Sequence, residues 1–132
     1  MVDTSVWSLA FRRDGHPGLA EVGALRAALL GAEQVFTTEL VLQEVLQGFA
    51  GPKSRDQLVE RLSGLAFLQP DKQDHIAAAE ISNACRRRGV QIGTIDALLI
   101  QLSQRYDLTL LTTDKDFHAA AQHVDVRLWT MG

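Results

Sequence analysis

The stretch GTIDALLIQLSQRYDLTLLTTDKDF, running from Gly93 to Phe117, decides the fold. Its opening, TIDALLIQLSQRY, is strongly apolar at helical spacing and predicts a buried helix. LTLLTT then alternates Leu with Thr and predicts a buried strand. Two carboxylates, Asp114 and Asp116, come straight after that strand, and DFHAAAQ predicts a short helix behind them. Acids at the tip of a core strand carry a desolvation cost unless something there compensates the charge.

The rest of the chain repeats the alternation. MVDTSV reads as a first strand, QVFTT as a second, AFLQP as a third, LTLLTT as the fourth and DVRLWT as the last. The helices between them are GLAEVGALRAALLG, ending at Gly31, then ELVLQEVLQGF, with Leu42, Leu46 and Phe49 on one stripe. KSRDQLVERLSGL follows with Leu58, Leu62 and Leu65 in phase, and DKQDHIAAAEISNACRRRG has Asp71 as its N-cap and Gly89 as its stop. Strands separated by helices imply an α/β fold: a central, mostly parallel sheet with helices on both faces. Such sheets bind ligands at the carboxyl ends of their strands, near a topological switch point. A chain of 132 residues suits one domain, expected over 1–132.

Composition narrows the classes further. With 46% apolar residues the chain can bury a real core, and it carries no low-complexity tract or long repeat. The net charge of −3, from 13 basic and 16 acidic side chains, is not the basic surplus of a typical nucleic-acid binder. The lone Cys85 has no partner for an internal disulfide, so a reduced, cytoplasmic setting is expected. No apolar run approaches the roughly 18 residues that span a bilayer, and no membrane partner is expected. MVDTSVWS has neither the basic start nor the apolar core of a signal peptide.

Asp3 lies on or just beyond the first strand, and Asp114 and Asp116 follow the fourth. Asp96 falls in the first turn of the apolar helix, where the helix dipole favours negative charge. Glu44 is in mid-helix among Leu42, Val45 and Leu46. If the first and fourth strands are neighbours, three or more carboxylates meet at one end of the sheet. At about 6 Å and an effective dielectric of about 20, each pair repels by roughly 2–3 kcal/mol. Such a cluster raises its own pKa values or binds a cation, and oxygen-only ligands suit Mg²⁺ or Mn²⁺. No Cys or His pair has zinc spacing, and His118 and His123 lack the HExxH context. Taken singly, each acid also fits a plainer role. Asp3 suits a turn, Glu44 a solvated helix position and Asp96 a dipole partner; Asp114 suits a turn and Asp116 an N-cap, since DKDF leads into a helix. Their common order along an alternating chain argues for one site.

The segments MVDTSVW, ELVLQEVLQG and GTIDALLIQLSQRYDLTLLTTDKDF, together with the chain length, resemble PIN-domain ribonucleases, specifically the VapC-type toxins of bacterial toxin–antitoxin pairs. The resemblance covers nearly the whole chain and is most specific from Gly93 to Phe117. It implies a single PIN-like domain with an acidic site at the carboxyl ends of the strands. It implies Asp3, Glu44, Asp96 and Asp114 as catalytic residues, with Asp3, Asp96 and Asp114 holding one or two Mg²⁺ or Mn²⁺ ions. Glu44 would orient a water or complete the coordination, Thr112 would position a carboxylate, and Thr4 or Ser5 would line the site. Asp116 matches a fifth acid that is less regular in the family. The implied reaction is hydrolysis of an RNA phosphodiester by metal-activated water, leaving a 5′-phosphate and a 3′-hydroxyl. The implied partners are RNA, a cognate antitoxin protein and a second copy in a homodimer. The alternative within the family is a non-toxin nuclease of RNA processing or DNA cleavage. The chain departs from the family pattern in its very short lead-in before Asp3.

Setting the four catalytic acids aside leaves 13 basic and 12 acidic side chains, so the remainder does not repel RNA. Arg12–Arg13 and Arg86–Arg88 are the densest basic patches, though the latter also suits a helix C-terminus. Trp7 offers a ring for base stacking or for packing. The surfaces LAEVGALRAALL and LVLQEVLQGF are candidates for dimer or antitoxin contact, or for ordinary core. A receiver-type acid pocket fits poorly: Asp3 has no acidic neighbour, AFLQP ends without an acid and RLWTMG has no Lys. DTS likewise lacks the DxD of haloacid dehalogenase-type phosphatases.

Overall fold

The computed structural model describes residues 1–12, 19–49 and 51–131. Arg13 of the expected basic pair, and the expected helix start at Gly18, lie outside the described residues. The chain forms two compact units, one of Val2–Leu68 and one of Met1 with Gln69–Gly132. Among the described residues it has seven helices and four short strands, all paired in parallel, and no helix is long and apolar enough to cross a membrane.

The Val2–Leu68 unit holds α1 (Thr4–Phe11), α2 (Ala20–Leu30), β1 (Phe36–Thr37), α3 (Glu39–Gln47), α4 (Pro52–Ser63) and β2 (Ala66–Phe67). The expected first strand MVDTSV is corrected here: the chain turns helical at Thr4. Asp3 is the N-cap, and its side chain accepts the Ser5 N–H at 3.0 Å, so capping overrides the strand preference of the valines. α1 buries Val6 and Trp7 and packs against α2 and α3. α2 ends at Gly31, as its sequence indicated. In α3 the buried stripe is Val41 and Val45, whereas Leu42, Leu46 and Phe49 are only half-buried. The buried stripe is thus one position off the apolar stripe of Leu42 and Leu46, which line an open groove with Phe67. α4 buries Leu58 and Leu62 as expected, with Leu65 half-buried beyond its end. β1 and β2 pair with Phe36 opposite Ala66, and the Leu68 N–H donates to Thr37 O at 2.9 Å.

The second unit holds α5 (Lys72–Arg87), α6 (Thr94–Arg105), β3 (Thr109–Leu110), α7 (Lys115–Ala120) and β4 (Arg127–Leu128). α5 begins with a capping box: Asp71 Oδ1 accepts the Asp74 N–H and Asp74 Oδ2 accepts the Asp71 N–H, each at 2.9 Å. It stops at Gly89, whose φ of 79° is left-handed. The Val90 N–H donates to Cys85 O and the Gly89 N–H to Arg86 O, the two bonds of a Schellman turn. α6 ends in the same way, with Asp107 at φ 53° and the Leu108 N–H donating to Ser103 O at 2.8 Å. α6 buries Ala97, Leu98, Leu99, Ile100, Leu102 and Ser103, which matches its apolar sequence. β3 and β4 pair with Thr109 opposite Arg127, and the Met1 carbonyl accepts the Leu111 N–H at 2.8 Å.

α5 and α6 are joined through one buried carboxylate. Asp74 is 2% exposed and takes Gln101 Nε2 at 3.3 Å and Arg105 Nη1 at 2.5 Å from α6. Burial by itself would push the Asp74 carboxyl up. The Asp71 N–H, the Gln101 amide and the Arg105 charge outweigh that and hold it below the ordinary 3.8. The native state therefore favours ionised Asp74 more than the unfolded chain does, a stabilisation present above pH 3.8 and lost as pH falls through the lower, folded value. Urea unfolding measured from pH 7 to pH 2 should show this acid loss in the wild type. Asp74→Asn should be less stable at pH 7 and should lose less on acidification; an unchanged acid limb would show that Asp74 does not carry it.

Candidate active site

In the Val2–Leu68 unit the candidate residues form two short hydrogen-bonded pairs on adjacent residues of α1. Asp3, 3% exposed, accepts the Ser5 N–H and, at 2.6 Å, the Ser5 hydroxyl on the same Oδ1. Thr4 Oγ1 donates to Glu44 Oε1 at 2.6 Å and so ties the start of α1 to the middle of α3. Thr4 and Ser5 thus each touch one of the expected catalytic acids. Glu44 is half-buried rather than a fully solvated helix position.

In the second unit Thr112, Asp114 and Asp116 form a chain of contacts after β3. Buried Thr112 accepts the Asp114 N–H on Oγ1 at 2.9 Å, and Asp114 Oδ1 accepts the Asp116 N–H at 2.9 Å. Asp114, not Asp116, is the N-cap of α7; exposed Asp116 stands within the first turn and supplies only its N–H. The sequence reading that preferred Asp116 as the cap is corrected, because the helix starts one residue earlier than DFHAAAQ suggested. Asp96 occupies the first turn of α6, half-buried. Gly93, the N-cap of α6, has no side chain to cap with, and a Cβ there would stand 3.6 Å from Asp96 Oδ2.

Asp3, Asp96 and Asp114 therefore share a local solution: each stands at a helix N-terminus, where N–H groups and the dipole favour a negative charge. Among the described residues neither unit by itself gathers three or more His, Cys, Asp or Glu that could hold a metal ion. The candidate donors are carboxylate and hydroxyl oxygens, a hard donor set that fits Mg²⁺ or Mn²⁺. Cys85 is buried, with its thiol pushed up by burial, and is no soft ligand for this set.

The family model described as PIN domain matches residues 1–122. Among solved structures, FitAcB from Neisseria gonorrhoeae is similar with a TM-score of 0.71 and 22% identity, over 98% of this chain and 95% of that one. VapBC-1 from nontypeable Haemophilus influenzae is similar with a TM-score of 0.73 and 16% identity, over 98% and 95%. VapC20 from Mycobacterium tuberculosis, a sarcin–ricin loop cleaving toxin, is similar with a TM-score of 0.68 and 24% identity, over 96% and 97%. At these identities the likeness establishes the fold. No curated protein sequence matches the chain significantly.

Because Asp114 caps α7 through one oxygen, its replacements should separate by shape. Asp114→Asn keeps the acceptor and should leave thermal stability nearly unchanged, whereas Asp114→Ala should lose about 1 kcal/mol. Equal melting temperatures for the two variants would show that the cap carries no stability.

Proposed function

The chain belongs to the PIN domain family, and on that premise we propose that it is a metal-dependent endoribonuclease, the toxin of a toxin–antitoxin pair. The observation that carries this reading is the family match over residues 1–122, and the order of Asp3, Glu44, Asp96 and Asp114 along the sequence supports it. Asp3, Asp96 and Asp114 are the proposed ligands of Mg²⁺ or Mn²⁺. Such a cation supplies Lewis-acid stabilisation of the phosphoryl oxygens and acidifies a water. Glu44, oriented by Thr4, directs the attacking water towards phosphorus, and the 3′ oxygen of the neighbouring nucleotide leaves. Ser5 holds the Asp3 carboxylate in one orientation, and Thr112 fixes the backbone from which Asp114 projects. Asp116 is not assigned a direct part, since its exposed side chain stands past the cap.

RNA as substrate is supported by the mycobacterial neighbour, which cleaves the sarcin–ricin loop, and an antitoxin partner by the Haemophilus neighbour, a VapBC assembly. The homodimer and the cytoplasmic setting belong to the same reading.

Cleavage of a labelled RNA with Mg²⁺ should be abolished by EDTA. It should fall by roughly 100-fold or more in Asp3→Asn, Asp96→Asn and Asp114→Asn, with circular dichroism unchanged. Wild-type activity in Asp96→Asn would overturn the site assignment. Expression of the wild type alone in a bacterial host should arrest growth, and Asp96→Asn should not. Normal growth with active nuclease would point to a processing enzyme instead.

A further inference from the structure

A pocket lies in the Val2–Leu68 unit, lined among others by Phe11, Phe49, Lys53, Gln57, Leu58 and Arg61 and enclosing about 520 Å³. That volume is within the range of small-ligand sites. Lys53, Gln57 and Arg61 recur every fourth residue, so α4 presents them along one exposed stripe, while Leu58 beside them is buried. Phe11 stacks on buried Trp7, with ring centroids 5.9 Å apart and planes within 8°, which fixes its orientation. The Arg61 guanidinium lies over the Phe11 ring, 6.0 Å from its centroid. Among the described residues no Asp or Glu lines this pocket, although the chain as a whole carries a net charge of −3.

We propose that this pocket is a nucleotide subsite for single-stranded RNA, a reading that rests on the ribonuclease assignment and extends it beyond the scissile bond. A base stacks against Phe49, and its phosphate pairs with Lys53 and Arg61. Aromatic faces and arginine planes are the surfaces on which unpaired bases stack, and stacking tolerates any base. The pairing of flat rings with two cations suits a nucleotide, which joins a planar base and an anionic phosphate in every unit. The location fits as well. Phe11 ends the helix whose first residue, Thr4, is bonded to Glu44. At 1.5 Å per residue those two ends stand about 10 Å apart, so a strand held at Glu44 reaches the pocket within a few nucleotides.

The test uses Lys53→Ala/Arg61→Ala, two exposed positions whose truncation should leave circular dichroism unchanged. Binding of a fluorescent single-stranded oligoribonucleotide is measured by anisotropy in the non-cleaving Asp96→Asn background, with and without the pair of substitutions. Affinity should fall about tenfold at low salt, and the slope of log K against log salt should shrink by about 1.4, two phosphate contacts' worth. With Asp96 intact, KM for the oligonucleotide should rise while kcat holds, and a dinucleotide should be cleaved as by the wild type. Unchanged affinity and salt slope would overturn the subsite, whether or not the protein proves to be a nuclease. So would loss of antitoxin binding with RNA binding intact, which would make the pocket a protein-docking surface. Absence of cleavage by the wild type would count against the nuclease assignment alone, since the binding measurement still reads the pocket.

Discussion

The Asp3 carboxylate is 3% exposed, and a charge so withdrawn from water persists only where donors replace the water it lost. Ser5 supplies an N–H and a hydroxyl to one oxygen, and the first turn of α1 adds its dipole. That single cap decides where α1 starts, and much else in its unit follows from the start. With helix from Thr4 onward, Thr4 reaches Glu44, Val6 and Trp7 enter the core, and Phe11 arrives at the pocket beside α4. A strand continuing through Val6 would have alternated these side chains between two faces and separated them.

Two kinds of acid can be told apart by what holds them. Asp74 is neutralised: an arginine from the next helix pairs with it, and its work is to join α5 to α6. Glu44 accepts a threonine hydroxyl and Asp114 a backbone N–H, both neutral donors, and Ser5 gives Asp3 an N–H and a hydroxyl. Neutral donors orient a carboxylate without cancelling its charge. An acid meant to bind a cation needs that treatment, because a guanidinium in the same place would compete for the same oxygens. The contrast supports the proposed division of labour between structural and catalytic carboxylates.

Each proposed metal-binding acid belongs to a helix N-terminus, so its orientation is coupled to the integrity of a first turn. The cap that orients Asp114 also starts α7. A substitution can then lose activity by removing charge or by fraying the helix, and the asparagine and alanine replacements differ in which they do.

Much of this was present in the sequence by itself. At α5 local signals sufficed: Asp71 as a cap and Gly89 as a stop follow from hydrogen bonds and φ preferences within a few residues. The burial of α6 follows from its unbroken apolar surface, and the order of Asp3, Glu44, Asp96 and Asp114 was enough to single out the candidate acids. Other features needed the folded chain. That Val6 and Trp7 of α1 are buried depends on the helices α1 packs against, α2 and α3. Val41 and Val45, rather than Leu42 and Leu46, are the buried residues of α3, and no periodicity within α3 distinguishes the two stripes. The pocket of Phe11, Phe49, Lys53 and Arg61 draws on three stretches of chain, none of which carries a motif. Hydrogen bonding and dihedral preference act over a turn or two and can be read in order, whereas the choice of buried face and the shape of a pocket depend on the neighbours that packing brings alongside.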